Sequence, residues 1–121
     1  MARVLVVADD LTGANACAAG FSRAGQRTVT VGLDRRVDAI TSFAPEYDVV
    51  VATTESRHVA PLEAAIAMRE AIEAGWPVEH VAARIDTTLR GNVGVAAQAL
   101  VDTVAELSGR RTVALLSLIH I

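Results

Sequence analysis

Three short polar segments of this chain hold residue types that can do chemistry. Asp9 and Asp10 are adjacent carboxylates, followed by Thr12 and Gly13. Side by side they repel, and burial would hold one of them partly protonated. They suit accepting hydrogen bonds from ligand hydroxyls, and Asp10 is the candidate to take a proton during a transfer. The competing role is helix capping by one Asp with the other facing water; one capping and one binding is the expectation. The second segment holds Arg57 among Glu55, Ser56 and His58. A guanidinium fork grips a carboxylate through two bonds, which fits an acid ligand. The alternative is a surface ion pair with Glu55, worth little; spacing alone weighs the two evenly. His58 reads as a loop residue. The third segment, Asp86-Thr-Thr-Leu-Arg90-Gly91-Asn92-Val-Gly94, sets an acid, two hydroxyls, a base and two glycines ahead of a helix. Gly91 would let backbone approach a ligand, and the helix start would favour an anion. Asn92 is also a ready helix cap, but that leaves Asp86 and Arg90 together unexplained.

Each segment follows a predicted strand. Apolar runs mark strands at 3–8, 28–32, 48–53 and 80–85, with a fifth beginning at Thr112. Helices are expected over 12–24, 37–43, from Pro61 to about Gly75, and 92–107. The first would turn Ala14, Cys17, Ala18 and Phe21 inward, so the Cys17 thiol reads as packing. The one opening at Pro61 would bury Leu62, Ala65, Ile66, Met68 and Ile72. The last would bury Val93, Ala96, Ala97, Leu100, Val104 and Leu107. Alternating strands and helices, with strands apolar on both faces, predict an α/β fold: a three-layer, Rossmann-like parallel sheet in the order β-α-β-(α)-β-α-β-α-β. In such a sheet the strand ends point one way, so three distant segments converge on one crevice.

Composition narrows the function classes. At 121 residues one domain is expected. A hydrophobic fraction of 52% and a mean hydropathy of +0.38 are enough for a core, made mostly of aliphatic residues because aromatics are 3%. A formal net charge of −3 gives no case for nucleic acid or an anionic membrane. No run is long enough to span a bilayer, and the apolar run after Arg3 does not read as a signal peptide. One cysteine allows no intrachain disulfide, so a cytoplasmic setting is expected. All basic residues besides histidine are Arg, so a P-loop is excluded, and neither GxGxxG nor GxSxG occurs. No His/Cys/carboxylate spacing matches a metal site.

The segments ADDLTGANA (Ala8–Ala16), TTESRHV (Thr53–Val59) and RIDTTLRGNVG (Arg84–Gly94) together resemble the four-carbon acid sugar kinase family. All three occur in family order and at family-like spacing. The family often has Lys at Arg84 and Ser at Thr87, changes that keep the chemistry. The resemblance covers nearly all of this chain but only the first of two domains. It implies ATP-dependent phosphorylation, with a metal such as Mg2+, of threonate, erythronate or a 3-oxo derivative. This domain would bind the sugar acid, and an absent C-terminal domain would bind ATP. Asp9, Asp10, Arg57, Asp86, Arg90, Gly91 and Asn92 match as substrate contacts, the Asp residues for hydroxyls and the Arg residues for the carboxylate. No cofactor is expected to be intrinsic to the 121 residues, which would be inactive alone.

The end of the chain departs from the family. Leu116–Ile121 reads like the translation of a sequencing adapter, so a truncated frame with a non-native tail is expected, a genuine fifth strand being the alternative. From another function class, a stand-alone α/β binding or regulatory module also fits the composition. A phosphatase-like hydrolase ranks last, because it wants DxD where this chain has adjacent Asp9 and Asp10.

Overall fold

The computed structural model describes residues 2–32 and 34–115. They form β1 (Val4–Ala8), α1 (Leu11–Arg23), β2 (Thr28–Val31), α2 (Arg36–Phe43), β3 (Val49–Thr53), α3 (Pro61–Gly75), β4 (His80–Arg84) and α4 (Val93–Ser108). The four strands make one parallel sheet in the order β2-β3-β1-β4. These elements lie within a residue or so of the bounds read from the sequence. No helix among the described residues is long and apolar enough to cross a membrane.

The alternation of side chains along each strand sorts the core into two layers. Val6, Ala8, Val49 and Val51 face α1 and meet Ala14, Cys17, Ala18 and Phe21. These are the four inward residues expected of that helix, small enough to let it lie close to the sheet. Leu5, Val7, Val50 and Ala52 face the other way, onto Ile40 of α2 and Met68, Ala71 and Ile72 of α3. Burying a side chain such as Leu5 or Ile72 fully contributes about 1.5–3 kcal/mol.

This path makes the crevice. From β1 the chain passes over one face, through α1, to β2. From β3 it passes over the opposite face, through α3, to β4 on the far side of β1. The segments leaving β1 and β3 therefore part to opposite faces between neighbouring strands, and a ligand crevice forms where they part.

Three expectations are corrected. In α3, Leu62 and Ile66 are exposed, at 71% and 48%; Ala64, Met68, Ala71, Ile72 and Gly75 are the buried positions. Small residues win that face because the helix lies tight against β1: a methyl on Gly75 would sit 3.0 Å from Leu5 Cδ2. β4 is not buried on both faces, since it is an edge strand paired only with β1. Beside it the inner face of α4 is only half-buried, with Leu107 exposed, and a cleft of about 680 Å³ opens between the two elements. The expected fifth strand does not begin at Thr112, because residues 112–115 form no strand; the remainder of that expectation, 116–121, lies outside the described residues.

Candidate functional site

β1 ends at Ala8, β3 at Thr53 and β4 at Arg84, residues level with one another in the parallel register. The three polar segments therefore do meet at one edge of the sheet.

Asp9 and Asp10 divide their roles. Asp10 is the N-cap of α1, its Oδ1 accepting from Gly13 N at 2.8 Å. Asp9 accepts from Arg57 Nη2 at 2.9 Å and from Nε at 3.4 Å, while Arg57 Nη1 lies 3.3 Å from Asp10 Oδ2. All three nitrogens of Arg57 are thus turned to this carboxylate pair. The surface pairing with Glu55 does not occur, for Glu55 accepts from Thr53 Oγ1. Side chains of Arg57 and Asp9 are only 15% and 16% exposed. The Asp9 bond and the charges of Asp9, Asp10 and Asp86 outweigh burial and raise the Arg57 pKa further, so it stays a cation. Asp10 keeps more contact with solvent, at 29%.

The cap gives a separable prediction. Asp10→Ala is expected to cost about 1 kcal/mol through the lost helix cap, and Asp10→Asn to recover most of that. Chemical denaturation of both variants checks it; equal losses would assign the cost to charge instead.

Asp86 organises its own loop. Its Oδ2 accepts from Thr88 N at 3.2 Å, from the Thr88 hydroxyl, and from Arg90 N and Nε at 3.3 and 2.9 Å; Oδ1 accepts from Arg90 Nη2 at 3.1 Å. These bonds hold Leu89 in the left-handed region at φ 62°, which is rare for a branched residue. The Arg90 bond first, and the Thr88 bond next, hold the Asp86 carboxyl well below the usual carboxylate range. A carboxylate depressed in the folded state contributes stability that is present above its unfolded value, about 4. That contribution is lost as pH falls through the folded value. The loop is therefore expected to keep its shape from neutral pH down to about 4 and to loosen only below that. Amide exchange at Leu89 and Arg90 reads this directly, and loosening already at pH 6 would contradict the pairing.

Gly91 and Asn92 lock the second and third segments together. A methyl on Gly91 would lie 2.8 Å from Arg57 Cγ and 3.1 Å from both its Cα and its carbonyl oxygen. The close approach that glycine permits is thus to the Arg57 backbone. Asn92 stands at the start of α4, but its side chain makes no cap. Its Nδ2 donates to Ser56 O and Val59 O at 2.8 and 2.9 Å, closing the 56–59 turn. His58 sits exposed in that turn.

Sequence reasoning overlooked two buried hydroxyls beneath the pair. Thr54 Oγ1 donates to Ala8 O at 3.1 Å and lies 2.6 Å from Ser56 Oγ, while Ser56 N donates to Asp9 O at 3.1 Å. They staple the β3 exit to the β1 exit. The available signal was a hydroxyl pair two residues apart directly after an unbroken apolar strand. A void of only about 30 Å³ lies beside them, lined by Asp9, Thr54, Ser56 and Asn92 among others, which is room for a water and no more. Burial raises the Cys17 pKa, Arg84 opposing, which suits a packed thiol. Among the described residues no three His, Cys, Asp or Glu side chains group to hold a metal.

Residues 4–118 match the family model described as "sugar-binding N-terminal domain". The chain is 41% identical over 106 residues to a D-erythronate kinase of Heliobacterium modesticaldum, covering 86% of this chain and 24% of that protein. It is 40% identical over 111 residues to a D-threonate kinase of Cupriavidus necator, covering 91% and 25%. It therefore spans about a quarter of the length of these curated relatives. A crystal structure of a domain of unknown function from Bordetella bronchiseptica, a domain-swapped dimer with bound citrate, superposes with a TM-score of 0.72. That match is at 31% identity, over 84% of this chain and 26% of the other.

Proposed function

Because the chain belongs to the family of sugar-binding N-terminal domains found in four-carbon acid sugar kinases, we propose that it binds a four-carbon sugar acid for phosphorylation by a longer protein. The observation that carries this reading is the convergence of Asp9, Asp10, Arg57, Asp86, Arg90, Gly91 and Asn92 at one sheet edge. Carboxylates there accept from polyol hydroxyls, and guanidiniums answer an acid group. Two relatives, kinases for D-erythronate and D-threonate, supply the ligand class. The solved neighbour's bound citrate is likewise a hydroxy acid.

The roles follow from which atoms remain available. Asp10 would accept a hydrogen bond, and in a transfer the proton, from a ligand hydroxyl. Asp9 and Asp86, whose oxygens already accept from Arg57 and from Arg90 and Thr88, would offer their remaining lone pairs to ligand hydroxyls. Arg90, 64% exposed and with Nη1 unspent on Asp86, reaches the acid end. Arg57 pairs with both aspartates, and Gly91 and Asn92 hold Arg57 in place. ATP with its metal ion would supply the phosphoryl group and neutralise its charge. The described residues do not fit that group: they have no metal-ligating cluster, and the sequence has no phosphate-cradling motif. Nucleotide binding is assigned to a second domain of the longer protein.

Calorimetric titration of this chain with D-erythronate and D-threonate tests the reading. Saturable heat with at least one acid is expected, together with no phosphate transfer from ATP. Absence of binding to both acids would overturn the proposal.

A further inference from the structure

We propose that Ser56, bonded to Thr54, is a positioning residue: it fixes where Asp9 and Arg57 stand relative to the sheet, and so sets ligand affinity without touching the ligand. The inference rests on the reading of the chain as a sugar-acid-binding domain and deepens it.

Each polar group of Ser56 ties down a different one of the converging segments. Its N–H donates to Asp9 O at 3.1 Å, in the exit from β1. Its carbonyl accepts from Asn92 Nδ2 at 2.8 Å, at the start of α4. Its hydroxyl lies 2.6 Å from Thr54 Oγ1, in the exit from β3. The direction of that last bond is forced. Thr54 spends its one hydroxyl proton on Ala8 O at 3.1 Å, so Ser56 is the donor to Thr54. A directed chain thus runs from Ser56 through Thr54 to the last residue of β1.

What Ser56 holds explains why this matters. Asp9 is bonded to it through the backbone, and Arg57 is the next residue along the chain. The Asp9–Arg57 bond at 2.9 Å fixes the separation of those two groups but not their place on the sheet. Ser56 fixes that place for both. The residue is itself closed to a ligand. It is 4% exposed and Thr54 7%, and the void of about 30 Å³ beside them is too small for a four-carbon acid. Its effect on binding therefore passes through the residues it holds. Deleting either hydroxyl breaks the directed chain, and deleting that of Thr54 also leaves the Ser56 donor buried without its acceptor. Binding groups displaced by about 1 Å lose much of their effect.

The test is titration of the 121-residue chain, its Thr54→Val and Ser56→Ala variants and the double variant. The ligand is whichever of D-erythronate and D-threonate the unmodified chain binds more tightly. Measurements are made well below every melting temperature, where lost stability alone leaves affinity unaltered. Each single variant is expected to weaken binding roughly tenfold. The double variant should bind no worse than the poorer single one, because both changes delete the same Ser56–Thr54 bond. Thr54→Ser keeps the hydroxyl and should bind within twofold of the unmodified chain. Should a variant not fold, amide exchange at Ser56 in the unmodified chain decides: protection equal to that of Val51 is expected, and exchange as fast as at exposed His58 would overturn the role. Affinities within twofold in both single variants, losses that add in the double one, or no recovery in Thr54→Ser would overturn it as well, while leaving the sugar-acid reading standing. Failure of the unmodified chain to bind either acid would overturn both.

Discussion

Replacing Arg57 with alanine is expected to cost about 3 kcal/mol of stability and to abolish measurable acid binding. The side chain is mostly covered and serves two adjacent carboxylates at once. Its removal leaves Asp9 and Asp10 facing each other without a counter-charge, one of them 84% covered by protein. Breaking a buried pair from one side typically costs about 3–5 kcal/mol; the partly wet rim at Asp10 argues for the lower end. For a domain of this size that corresponds to a fall in melting temperature of roughly 10 °C or more. Pairing Arg57→Ala with Asp9→Asn in a double-mutant cycle should recover part of the loss, since the stranded charge goes with it. A fall below about 0.5 kcal/mol in the single variant, within the range of an exposed pair, would mean that the ion pair is solvated and that Arg57 does not organise the site.

Gly91→Ala comes second and acts through geometry alone. The residue sits at φ +93°, where an L side chain is strained, and the new methyl would overlap Arg57. Strain at such a position and overpacking each cost about 1–3 kcal/mol. The close atoms include backbone, so no rotamer change relieves them. The expected outcome is a loss of about 3 kcal/mol together with weaker acid binding, because the 86–91 loop must back away from Arg57. Denaturation midpoint and titration on the same sample check both. Unchanged stability with unchanged binding would show that the two segments are not locked as described.

Much of the site was legible because side-chain chemistry is local in sequence. Asp9, Asp10, Arg57, Asp86 and Arg90 stand out by type directly after apolar runs, and a parallel sheet brings such exits together whatever the loops do. The element bounds were legible for the same reason, since apolar runs such as Val4–Ala8 and Val49–Thr53 stop at polar, turn-forming residues. Partner choice was not. Nothing in the spacing says that Arg57 turns to Asp9 rather than Glu55, or that Asn92 ties down Ser56 and Val59 instead of capping α4. Those choices depend on distances across the crevice.

The sequence by itself thus determined the α/β class, the positions of the strands and the residues with reactive groups, because periodicity and functional-group chemistry are properties of neighbours along the chain. Tertiary structure alone decided the strand order, which face of α3 is buried, and which arginines are held by aspartates of the same site. Each of these is a competition among groups remote in sequence, and only packing fixes which of them lie within 3–4 Å of one another.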